Sequence, residues 1–209
     1  MMRATKTLPA GYTRKTSLDL SKNKFALVLM NLLGFVSLFA FGWLFLQAAA
    51  WLRPDATWNQ IAAFQIFSLK DLLNIIVLLI GESAAVVVLH EATHGLFFWI
   101  FGGERPRFGL RGAYAFASMP DVFFPRPQYI VIGLAPLVLL SLLGLALIAF
   151  VPRDWVFAIW LFLIFNASGA IGDILTVVWL LFQPGDVLVQ DLGDAVTLYS
   201  YVPVGSTNM

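Results

Sequence analysis

Four long apolar runs limit the architectures open to this chain. Phe25–Leu52 carries no charge in 28 residues, and about 20 apolar residues suffice to cross a bilayer. Leu72–Phe101, Gln128–Val151 and Trp155–Phe182 are of similar length and character. A backbone in lipid must satisfy its own hydrogen bonds, so runs of this kind become helices. The chain is 60% hydrophobic and 12% charged, where soluble domains carry about 25% charged residues. The expected fold is an all-α integral membrane protein with about four transmembrane helices. With 209 residues there is room for one domain.

The connectors are short and differ in charge. Residues 1–24 hold six Lys/Arg and read as a basic arm that is mobile or lies on a surface. Residues 53–71 carry Arg53 and Lys70, with a possible interfacial helix at Trp58–Phe67. Residues 104–127 hold four arginines. There, Arg107–Leu110 and Ala113–Ala117 flank Arg111-Gly112, which predicts a short hairpin at the membrane surface between the second and third spans. Residues 183–209 form a tail in which Val187–Val189 and Val196–Tyr201 have strand character. The domain reading is thus an arm at 1–24, a membrane domain at 25–182 and a tail at 183–209. Six Lys/Arg before the first span and four after the second, against two and one in the other loops, put both termini in the cytoplasm. This describes a multi-pass protein of the cell membrane, most simply a bacterial cytoplasmic membrane. A net charge of +1 gives no support for a nucleic-acid partner. With no cysteine in the chain, His, Asp and Glu remain as metal ligands.

Both histidines of the chain stand in His90-Glu91-Ala92-Thr93-His94, inside the second span. Positions four apart share a helix face, so both imidazoles can reach one ion. Glu91 lies beside the ion and can take a proton from a water there. This is the H-E-x-x-H pattern of zinc hydrolases. Chance matches mostly sit on solvated helices, where these residues cost nothing. Here they sit in a membrane-length run, where burying them is expensive and the default reading is functional.

A catalytic zinc usually has three protein ligands and one open position. The spans contain three acidic residues: Glu82, Glu91 and Asp173. His90 and His94 lie eleven and seven residues before Phe101, and Asp173 lies nine before Phe182. At about 1.5 Å per residue these three share one depth, so Asp173 can complete a His2Asp site. Asn166, two turns before Asp173, faces the same way and can donate to a substrate carbonyl or oxyanion. Glu82 lies deeper, at the depth of Asn166, and on the face opposite Glu91; a pairing of Glu82 with Asn166 is open.

These residues resemble those of site-2-protease-type membrane metalloproteases, which carry H-E-x-x-H on one transmembrane helix and an Asn and an Asp on a later one. The later stretch, Asn166-Ala-Ser-Gly-Ala-Ile-Gly-Asp173-Ile174, departs from that family's pattern: it has no proline, and no glycine follows the Asp. The chain more closely resembles the bacterial family described as putative zincin peptidases. That likeness includes Arg107-Phe108-Gly109, Tyr114-Ala115-Phe116 and Gly133-Leu134-Ala135-Pro136-Leu137, and spans most of Leu72–Asp173. It implies Zn2+, proteolysis, His90, His94 and Asp173 as ligands and Glu91 as base.

The leading expectation is a zinc-dependent intramembrane endopeptidase acting on a membrane protein or peptide, with Glu91 and Asn166 as catalytic residues. The edge of the 107–117 hairpin would pair with an unwound substrate as an added strand. The alternative is a non-catalytic metal-binding membrane adaptor or pseudoprotease, which would need no base at position 91. A small transporter is a third reading; no internal repeat supports it.

Overall fold

The computed structural model describes residues 3–19, 24–55, 68–111 and 114–202. Their chain order is β1 (Tyr12–Leu18), α1 (Lys24–Leu52), α2 (Leu69–Gly102), β2 (Arg107–Arg111), β3 (Tyr114–Pro125), α3 (Arg126–Phe150), α4 (Arg153–Gly169), α5 (Ile171–Leu181), β4 (Leu188–Asp191) and β5 (Val196–Tyr201). The expected helix at 58–67 lies outside the described residues, as does Gly112 of the expected turn. The chain divides into two compact units. One comprises Met1–Met30, Glu91–Ala135 and Gly172–Met209; the other comprises Asn31–His90 and Pro136–Ile171.

The helices follow the apolar runs, and their ends follow local chemistry. Ser68 Oγ accepts the Asp71 N–H at 3.2 Å and opens α2 as an N-cap. Gly103, at φ +73°, closes it, donating to the Trp99 carbonyl at 2.9 Å. Pro54 follows α1, and Arg53 donates to the Ile148 and Val151 carbonyls, filling acceptors that α3 leaves open at its C-terminus. Among the described residues, three helices are long and apolar enough to cross a membrane: α1, α2 and α3. The expected fourth span is two helices, α4 and α5, bent by 42° at Ala170; counted as one span, they bring the total to four. Ser168, Gly169 and Gly172 cluster at the bend, and Gly/Ser pairs are a common cause of sharp kinks. Large apolar side chains point outward along these helices. Phe39 is 66% exposed and Trp43 63%, an arrangement suited to lipid rather than water.

In the second unit, which is helical, α1, α3 and α4 pack through Phe45, Leu46, Ala49, Ile148, Val156, Leu163, Ile164 and Ala167. Small residues let these helices approach closely. A Cβ added at Gly144 would stand 2.6 Å from Leu163 Cδ2.

The first unit contains a five-stranded antiparallel sheet ordered β1-β5-β4-β3-β2. The chain is mostly helical, but all-α with one hairpin understates it. Strands β2 and β3 do pair, with Arg107 opposite Ser118 and Leu110 opposite Ala115. β3 then runs on to Pro125 and pairs with β4 of the tail, Phe124 opposite Val189. The tail strands fall close to where their composition placed them. The basic arm supplies β1, paired with β5 from Tyr12 opposite Tyr201 to Leu18 opposite Val196. These partners are more than 170 residues apart, so no local pattern announces them. Phe98 of α2 packs on Phe124 and Tyr129, within a core that includes Val122, Ile132, Leu180, Val189 and Leu198.

Candidate metal centre

His90 and His94 are both buried on α2, one turn apart, with Glu91 half-buried beside them. Each ring is held at Nδ1 by an oxygen. His94 Nδ1 lies 2.9 Å from the Ile132 carbonyl of α3. His90 Nδ1 lies 3.1 Å from Asn166 Oδ1 of α4. A carbonyl or amide oxygen can only accept, so each contact puts a ring proton on Nδ1 and leaves Nε2 as the nitrogen that can bind a metal. Metal-bound histidines are typically arranged in this way, the second nitrogen fixed by an oxygen that sets tautomer and ring orientation.

Asp173 lies in the first turn of α5, where the helix dipole favours a carboxylate. The bend at Ala170 is what makes this residue a helix start rather than a mid-span position. Its Oδ1 lies 3.4 Å from His94 Nε2. Two ligands of a tetrahedral zinc with bonds of about 2.0–2.1 Å stand about 3.3–3.4 Å apart, so this spacing suits a shared ion. Ligand atoms of His90, His94 and Asp173 all fall within 4.8 Å of one another. Two imidazoles with fixed tautomers and one carboxylate fit zinc chemically. Glu82, two turns earlier on α2, is half-buried and outside this group.

Asn166 has other contacts than those expected of it. It is fully buried, its Oδ1 faces His90, and its Nδ2 donates to the Pro136 carbonyl at 3.2 Å. Its amide oxygen therefore serves a histidine, and one of its two N–H groups serves the Pro136 carbonyl.

Two features near the group carried no sequence signal. Tyr129 and Asp191 are both buried, and the tyrosine hydroxyl donates to Asp191 Oδ2. Asp191 Oδ1 accepts the Gly193 N–H at 2.8 Å, and the carboxylate interacts electrostatically with His94 and Asp173. Burial raises its pKa, while the Tyr129 hydroxyl and the Gly193 N–H pull it down. Gly193 has φ +89° and packs on the Phe116 ring, so a side chain there would meet both strain and a clash. The second feature is Gly95, the residue after His94. A Cβ there would stand 2.4 Å from Cζ of Phe108, so β2 lies directly against the motif helix.

No curated protein and no solved structure matches the chain. A family model does: the one described as putative zincin peptidase covers residues 83–188, just over half the chain, including His90, His94 and Asp173, and the chain belongs to that family.

Proposed function

We propose that the chain is a zinc-dependent endopeptidase that cleaves membrane-associated polypeptides from within the cell membrane. The carrying observation is the donor set: two histidines anchored at Nδ1, with the Asp173 carboxylate 3.4 Å from His94 Nε2. His90, His94 and Asp173 hold the ion. Zinc, when bound, supplies a Lewis acid that polarises the scissile carbonyl and acidifies water. Glu91 accepts the proton of the attacking water and delivers it to the leaving amide nitrogen. Asn166 and the Ile132 carbonyl orient the two rings. One N–H of the Asn166 amide is engaged by the Pro136 carbonyl, and the second is the one that would donate to a substrate oxygen.

Membrane residence rests on the apolar helices and their outward-facing aromatic side chains. The flanking charge puts both termini in the cytoplasm, with the sheet at the membrane surface. A substrate must be extended before its amides can react. β2 is an edge strand, and its Phe108 touches the helix turn that carries His94. An unwound substrate segment that pairs with β2 is thereby brought to the zinc ligands.

Glu91→Gln tests the chemistry. We expect zinc content to be unchanged and peptide hydrolysis to fall about 10²–10⁴-fold, the usual contribution of a positioned general base. Hydrolysis at the wild-type rate would remove Glu91 from the role of base.

A further inference from the structure

Pro136 stands inside α3. A proline there has no N–H to donate, and its ring pushes on the carbonyl four residues earlier. That carbonyl belongs to Ile132. In an uninterrupted helix it would accept the N–H of residue 136; here it lies 2.9 Å from His94 Nδ1. The carbonyl of Pro136 itself accepts Asn166 Nδ2 at 3.2 Å, and Asn166 Oδ1 lies 3.1 Å from His90 Nδ1. An amide can present either end to a ring. The Pro136 carbonyl can only accept, so it turns the Asn166 oxygen toward His90.

We propose that Pro136 is a positioning residue for both candidate zinc ligands. By withholding an N–H from Ile132 it supplies the acceptor that orients His94, and through its carbonyl it orients the amide that holds His90. This deepens the zinc-site reading and rests on it. The two arms differ in a useful way. Any residue at 136 keeps the carbonyl that serves His90, but only proline lacks the N–H that would compete for Ile132. Replacing the proline should therefore disturb His94 and spare His90.

The test is Pro136→Ala in the full chain, purified in detergent. The variant regains a helix hydrogen bond, so its melting temperature should not fall. Zinc affinity should drop about tenfold, the low end of what outer partners of metal-bound histidines contribute. In the zinc-free protein at alkaline pH, ¹⁵N histidine spectra should show the His94 proton leaving Nδ1 for a mixture of tautomers, with His90 unchanged. Should the alanine variant fold poorly, Pro136→Val restores the N–H with more of the lost volume and is read in the same way. Unchanged zinc affinity together with unchanged His94 signals would overturn the proposal. Weaker zinc binding with unchanged His94 signals would overturn it too, since the loss would then come from general distortion. A wild-type chain that binds no zinc would refute the metal reading instead, and the His94 tautomer comparison would still decide the part played by Pro136.

Discussion

In the helical unit, Leu163 and Ile164 of α4 pack on Phe45, Leu46 and Ala49 of α1 and on Ile148 of α3. In the sheet unit, Phe98, Tyr129 and Leu180 pack with Val122, Phe124, Val189 and Leu198 of the strands. The side chains are alike, but what competes for them differs. Apolar helices in a bilayer gain little by burying a leucine, because lipid tails are as apolar as the protein interior. They rely on close fit, as where Gly144 meets Leu163. The sheet unit orders its strands with polar contacts as well: Tyr12 Oη donates to the Asp186 carbonyl, and Tyr199 Oη donates to Gln190 Oε1.

The largest expected effect separates the two cores. Phe124→Ala should cost about 3–5 kcal/mol, the usual range for a buried aromatic ring. Leu163→Ala should cost less than the ~2–5 kcal/mol typical of water-soluble cores, because only the packing part of that figure survives in lipid. Reversible unfolding in mixed micelles reads both. Equal losses, or a larger one at Leu163, would break the comparison and the membrane placement on which it rests.

Asn166→Ala comes next and strikes the polar exception within the helical unit. It strips the partner from His90 Nδ1 and a donor from the Pro136 carbonyl, both buried. We expect a loss of about 1–3 kcal/mol in stability and a 10–100-fold loss in zinc affinity. Unaltered zinc affinity would make Asn166 a packing residue only.

The smallest effect concerns pH and the sheet unit. Burial raises the Asp191 carboxyl above its ordinary value of 3.8. Between that value and the raised one, the folded chain holds a proton that the unfolded chain has released. Stability therefore falls as pH rises through this window. Asp191→Asn should flatten that part of the curve of melting temperature against pH. A wild-type curve that rises across the window would reverse the assignment.

The helical unit was largely legible in the sequence, because its apolar runs are local and each is long enough to read on its own. The depth argument paired Asp173 with the histidines for a related reason, since helical rise is regular. Its limit shows at Ala170, where the fourth run bends and turns Asp173 into a helix start. The sheet was legible only in pieces. Val196–Tyr201 has strand composition, but its partner Tyr12–Leu18 lies in a basic arm whose polar residues give no apolar alternation. Buried contacts were least legible of all. The sequence showed Asn166 as a polar residue in an apolar run and Pro136 as part of the Gly133–Leu137 stretch. That one would hold the other, and His90 with it, depends on distances no linear pattern carries.

We propose that His90, His94 and Asp173 bind one ion. Metal content of the purified full chain, measured after equilibration with zinc and removal of excess, tests it directly. About one zinc per chain is expected in the wild type, as for a single three-ligand site. Near-complete loss is expected in His90→Ala, His94→Ala and Asp173→Ala, each shown to be folded. Full zinc in folded Asp173→Ala, or none in the wild type, would contradict it.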